Sequence, residues 1–189
     1  MLTWNELLQN RHSIRDFQEK DVPADLLQEI LVETCKAPSA SNQQPWRFVV
    51  THDRALMKKL SDESKKNLVN LIENDPQTSP SLRRYEKVLR DPNFNVFYNA
   101  PCLVIIGGKN TYRHFAADCA IAATYFMLAA TNRGLGTCWI GLGDQIHDAQ
   151  LRAAINLPAD YQIVAPIIIG YPNKIPAASA REKPIILNN

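Results

Sequence analysis

From Phe115 to Ala130 the chain is apolar on nearly every helical face, interrupted chiefly by Asp118 and Thr124. Seven alanines in this run (Ala116, Ala117, Ala120, Ala122, Ala123, Ala129 and Ala130) give it strong helix propensity. A helix apolar all round must be covered on all sides, by a large core or by lipid. Asp118 and the small alanines argue against lipid and for the close approach of other helices, so the run is expected to be a central helix with one face given to a partner subunit. It lies in a longer stretch, Tyr112 to Gly143, whose last twelve residues hold four of the chain's seven glycines: Gly134, Gly136, Gly141 and Gly143. Glycine permits tight turns and close approach to a flat ligand. The expected product is a buried scaffold helix delivering an exposed backbone surface.

At 189 residues the chain suits one domain, taken as residues 1–189. A net charge of +2, with no block of lysine or arginine, argues against a nucleic-acid or anionic-membrane partner. The opening residues, Met1 to Glu6, lack the basic and apolar parts of a signal peptide, so a cytoplasmic protein is expected. Cys35, Cys102, Cys119 and Cys138 are widely spaced, which fits reduced, mostly buried thiols and supports no metal site.

Along the chain, Thr3 and Glu6 form a capping box for a short helix. Arg11, Ser13 and Arg15 then alternate, so an extended chain points all three to one side, as a phosphate clamp would. A solvated basic turn has the same pattern, and both readings stay open at this point. Pro23 opens a second helix with Leu26, Leu27, Ile30 and Leu31 on one face. The segment from Ala37 to Trp46 is uncharged and crowded with short polar side chains between Pro38 and Pro45. It suits a neutral polar ligand or another subunit. Strands are expected over Arg47–Thr51, Cys102–Gly107 and Ile163–Ile169. A helix from Asp53 to Glu73 should anchor through Leu56, Leu60, Leu68 and Leu71. Residues 61–99 are otherwise a variable excursion, suited to covering a site or to a plain surface role. Asp148 can cap a further helix. The tail, residues 173–189, ends in Ile185-Ile186-Leu187 and should lie extended along its own surface or a partner's.

No nucleotide or hydrolase motif accounts for these groups. G-x-G-x-x-G from Gly134 would need glycine at 139, where Trp139 stands, and His12, His52, His114 and His147 sit in no triad motif. Hydrogen-bond donors, cations and open backbone are an inventory for a large anionic cofactor that brings its own reactivity.

The residues from Arg11 to Arg15, Ala37 to Trp46, Gly134 to Gly141 and Gly170-Tyr171-Pro172 together resemble the FMN-dependent nitroreductase family, in its short-chain members. The resemblance covers nearly the whole chain and is weakest from Ser61 to Asn99. It implies an α+β fold, a mostly antiparallel central sheet flanked by helices, in an intertwined homodimer with FMN at the interface. Arg11, His12, Ser13 and Arg15 would hold the FMN phosphate and ribityl chain, joined by Arg181 and Lys183. Pro38, Ser39, Ala40, Ser41, Asn42 and Gln44 would reach the flavin from the other subunit. Ile140 and Gly141 match the loop near flavin N5, with Ile140 standing where many members carry Glu. The implied activity is NADH- or NADPH-dependent reduction of nitroaromatics, quinones or similar electron-poor acceptors, by ping-pong hydride transfer through N5, with no protein acid or base as catalytic residue. The scaffold also hosts dehalogenation and flavin-fragmenting chemistry, and a flavin-binding protein without turnover is the remaining alternative.

Overall fold

The computed structural model describes residues 2–111, 113–177 and 180–187. Met1, Tyr112, Ala178, Ser179, Asn188 and Asn189 lie outside the described residues, among them one end of the stretch and parts of the tail singled out above.

Four strands, β1 (Arg47–Thr51), β2 (Cys102–Lys109), β3 (Gly136–Trp139) and β4 (Tyr161–Gly170), form one antiparallel sheet in the order β1-β2-β4-β3. The central strands β2 and β4 are covered on both faces, which is why their sequences read as continuous apolar runs. Successive side chains go to opposite layers. Val104 and Ile106 pack with Ala165, Ile167 and Ile169 under α2 (Ala24–Thr34) and α6 (Phe115–Thr131), while Leu103, Ile105 and Ile168 pack against α3 (Arg54–Asn74). The result is an α+β fold with a helical layer on each face. The expected caps form: Thr3 and Glu6 close the box on α1 (Trp4–Asn10), Asp53 accepts from Leu56, and Asp148 accepts from Leu151 at the start of α7 (Ala149–Ala154).

Two expectations need correction. First, Gly136–Trp139 is a strand whose first three residues are buried, not exposed backbone. Its four-residue length and its place among glycines hide the β pattern. A Cβ on Gly136 would stand 2.7 Å from Ile14, and one on Gly143 would stand 2.6 Å from Phe97. Those glycines therefore admit the protein's own side chains, and Gly134 takes a left-handed turn at φ 74° after α6. α6 leaves one face uncovered in the chain: Ala116, Ala117, Ile121, Thr124 and Tyr125 are exposed, whereas Phe115, Cys119, Ala122 and Phe126 are buried. Second, α3 anchors through Met57, Leu60, Leu68 and Ile72, and Leu71 faces solvent. Part of the excursion is thus core helix. Beyond it come only two short helices, α4 (Pro80–Arg83) and α5 (Glu86–Leu89).

The start of the tail lies on the chain's own surface, where Asn173 bonds Asp16 and Phe17, but its apolar end does not. Ile185, Ile186 and Leu187 are 84%, 75% and 92% exposed. No helix among the described residues is long and apolar enough to cross a membrane.

Candidate functional site

The segment after α1 runs extended because Ile14 donates its amide to the Thr137 carbonyl (2.9 Å) and Ser13 bridges Thr137 in parallel register. Ile14 is buried against Gly136, which leaves its neighbours Ser13 and Arg15 on the outer side. Arg11 is half-buried, and neither Arg11 nor Arg15 forms an ion pair among the described residues. The Cys138 thiol marks where they converge. Burial pushes it up, against the opposing pull of Arg15, Ser13 and Arg11 in that order. Arg11 is thus a half-buried cation and Arg15 an exposed one, and a cation without a carboxylate partner is free to pair with an anion.

Arg15 stands between two hollows. One, of about 340 Å³, has Trp139 to Leu142 as its floor, Val96 and Tyr98 as a wall, and Ser81, Leu82 and Tyr85 at its mouth. The Arg15 guanidinium lies 5.6 Å from the centre of the Tyr98 ring. The floor offers backbone: Gly141 is exposed, and a Cβ there would meet nothing within 4 Å. The excursion does reach this cleft, and it is tied down. Arg83 donates to the carbonyls of Ile72, Asp75 and Thr78. The other hollow, about 460 Å³, is shared by Ser13, Arg15, Asp16 and Lys174. His12 lines a separate apolar hollow with Asn10 and Thr131.

Sequence reasoning missed two of these residues. Lys174 is carried to Arg15 by Asn173, which donates to Asp16 and Phe17. No sequence signal marks it beyond the adjacent Tyr171-Pro172. Tyr98 sits in left-handed backbone at φ 52°, which no local pattern announces.

The uncharged loop is strained and held. Ser41, Asn42 and Gln44 have φ of 50°, 54° and 46°. Such conformations cost about 1–3 kcal/mol each and persist only when their surroundings impose them. Here Ser39 Oγ accepts from the Gln44 amide, and Asn42 accepts from the Gln44 side chain. Asp118, buried on α6, accepts from the Ala40 amide at 3.1 Å. That gives the one acidic residue of the apolar helix a role in fixing the loop. Pro38, Ser41, Asn42 and Gln44 are exposed, and Ser39 and Ala40 half-buried.

Within the chain the two halves of the sequence-predicted site do not meet. The loop leads into β1 at one edge of the sheet, and Arg11–Arg15 lie beyond β3 at the other. Four inter-strand spacings separate those edges, roughly 19 Å. Arg15, Ile140 and Gly141 come together; Arg181 and Lys183 are exposed on the tail and form no hydrogen bond or ion pair among the described residues. No group of metal-ligating side chains occurs among the described residues.

A basic extended segment bridged to β3, an open-backbone cleft and a strained neutral loop thus sit on an antiparallel α+β scaffold. The chain belongs to the Nitroreductase family, whose pattern matches residues 8–171. It is 28% identical to the chloronitrobenzene nitroreductase of Comamonas testosteroni, over 88% of this chain and 86% of that protein. Its fold matches the FMN-bound nitroreductase of Desulfitobacterium hafniense with a TM-score of 0.78, at 24% identity and with all of both chains covered. It matches equally, at 0.78 and 21% identity over 99% of each chain, an iodotyrosine deiodinase bound to FMN and 3-iodo-L-tyrosine.

Proposed function

We propose that the protein is an FMN-dependent NAD(P)H oxidoreductase that reduces nitroaromatics, quinones or similar electron-poor acceptors, working as a homodimer with shared sites. The observation that carries this reading is the pairing of an open-backbone floor at Gly141 with unpaired Arg15 beside it. The fit is chemical as well as spatial. The cleft volume lies in the range of small-molecule sites, and the second hollow offers Ser13, Arg15 and Lys174 to a phosphate. FMN bound there would supply hydride acceptance and donation at N5. Arg11, Ser13, Arg15 and Lys174 would fix the anionic chain, and Gly141 would present backbone without a side chain in the way. Trp139 and Tyr98 would exclude water. His12, Pro38, Ser39, Ala40, Ser41, Asn42, Gln44, Ile140, Arg181 and Lys183 keep their proposed cofactor contacts, several of them across the dimer.

Steady-state oxidation of NADH and NADPH, with and without a quinone or nitroaromatic, tests turnover. Oxidation that stays at background level even with an acceptor present, in protein with FMN bound, would leave a flavin-binding protein. The deiodinase likeness makes reductive dehalogenation the competing chemistry, and turnover of 3-iodo-L-tyrosine discriminates it.

Three features support the dimer. The outer face of α6 exposes Ile121 and Tyr125, Trp4 and Leu8 of α1 are 63% and 51% exposed, and the apolar tail end is free. Each leaves apolar surface for a second copy to cover. Co-expression of Arg11→Ala and Asn42→Ala chains gives a direct expectation. If Asn42 serves the partner's flavin, the heterodimer puts both lesions on one site and leaves the other intact. Half the wild-type activity and flavin content per heterodimer is the expected result. Two impaired sites would move Asn42 into its own subunit's pocket.

A further inference from the structure

The polar face of α3 is buried where a helix under a sheet needs only apolar residues. Ser61 and Ser64 are fully buried, and Lys65 is 6% exposed. Positions i, i+3 and i+4 share one face, so the three stand together. Lysine is seldom buried without partners, and buried hydroxyls cost stability unless bonded.

Their partners are backbone groups outside any ladder. Ser61 Oγ accepts from the Val96 amide at 2.9 Å. Lys65 donates to the carbonyls of Asp91 (3.0 Å) and Phe94 (2.7 Å), and pairs with Asp62. Those bonds hold the irregular segment that ends in Val96 and Tyr98, the wall of the cleft. Ser64 holds the floor instead. It donates to the Leu142 carbonyl at 2.7 Å and accepts from the Gln145 amide at 3.2 Å. Asn67, three residues further on, donates to the Gln145 carbonyl at 2.9 Å. One helix therefore holds two segments that line the cleft, through residues about 4.5 Å apart along its axis. Buried backbone donors and acceptors need partners, and here the helix supplies them.

We propose that Ser64 is a positioning residue that sets the placement of the Gly141 loop in the cleft, with Ser61 and Lys65 fixing the adjoining Val96–Tyr98 lining to the same helix. The inference rests on the flavin reading for its kinetic consequence, but its structural half does not need FMN. A purely space-filling role would be met by alanine or a small apolar side chain. A positioning role would not, because the loop that follows Gly141 would lose both of its bonds to Ser64.

Amide hydrogen exchange and stopped-flow reduction test this together. In wild-type protein free of FMN, the Val96 and Gln145 amides should exchange as slowly as those inside α3. Ser64→Ala should speed Gln145 exchange about tenfold and leave Val96 protected, since a lost buried bond is released locally. In the flavin-loaded form the same variant should slow flavin reduction at saturating NAD(P)H about tenfold, with FMN affinity within about threefold of wild type. Loop-like exchange of Gln145 and Val96 in the wild type would overturn the proposal even if the variant failed to fold. So would an Ser64→Ala protein with unchanged Gln145 exchange, or one whose FMN affinity falls as far as its rate. A wild-type protein that binds no FMN but shows the expected exchange pattern would sink the flavin reading and leave the grip of α3 standing.

Discussion

Gly141→Val should slow the reduction of bound flavin by NAD(P)H roughly a hundredfold, the scale of a misplacement of about 1 Å at a reacting centre. The fold has no reason to resist the change. Gly141 is outside the left-handed region, and a Cβ there meets no protein atom within 4 Å. An isopropyl group would project into the cleft instead, displacing whatever planar group rests on the floor or blocking its approach to the backbone. The expected pattern is therefore an unchanged melting temperature, a modest loss of FMN affinity and a large loss of rate, read by stopped-flow bleaching of the flavin band. A Gly141→Val protein that is reduced at the wild-type rate would remove this loop from the reacting centre. Gly136 and Gly143 are the natural contrast, because a side chain at either strikes Ile14 or Phe97 and should lower stability first.

Removing both guanidiniums of the extended segment beside β3, Arg11→Ala with Arg15→Ala, should lower FMN affinity by roughly a hundred- to ten-thousandfold. A hydrogen bond to a charged group contributes about 1.5–3 kcal/mol, and two such losses give that range. Arg15 also loses its place over the Tyr98 ring, so that wall of the cleft should loosen. Neither side chain is committed to an ion pair among the described residues, so the sheet should keep its stability. Added salt should weaken the wild-type interaction less than it weakens an exposed pair, because Arg11 is half-buried. FMN titration followed by flavin fluorescence measures both effects. An unchanged affinity would return Arg11 and Arg15 to a solvated basic turn.

What the sequence made legible was whatever depends on local pattern. The alternation of Arg11, Ser13 and Arg15 around Ile14 survives as an extended segment bridged to β3, because Ile14 is the inward residue of that alternation. The apolar runs at Val104 and Ile167 read as strands because both faces are covered. The uncharged loop announced itself by composition, although its strained φ values did not, since they depend on Ser39 and on Asp118 far along the chain. Non-local pairing defeated the rest. β3 is four residues long and exists because Gly136 lets Ile14 close on it. The buried face of α3 reads as a solvated polar stripe until Val96, Leu142 and Gln145 are seen to end on it. Lys174 and Tyr98 reach the site through a long-range bridge and an irregular segment, neither of which carries a period. The separation of loop and clamp at opposite sheet edges likewise follows from strand order, which no stretch of sequence encodes alone.

The central claim is that this chain holds a flavin that nicotinamide can reduce, and an absorption spectrum tests it most directly. Purified protein given FMN and freed of excess should show the oxidised-flavin bands at about one FMN per chain, as expected where the cofactor carries the reactivity. Under anaerobic conditions NADH or NADPH should bleach those bands, and a quinone or nitroaromatic should restore them. A protein that stays colourless after incubation with FMN, or a yellow one that neither nucleotide bleaches, would contradict the account.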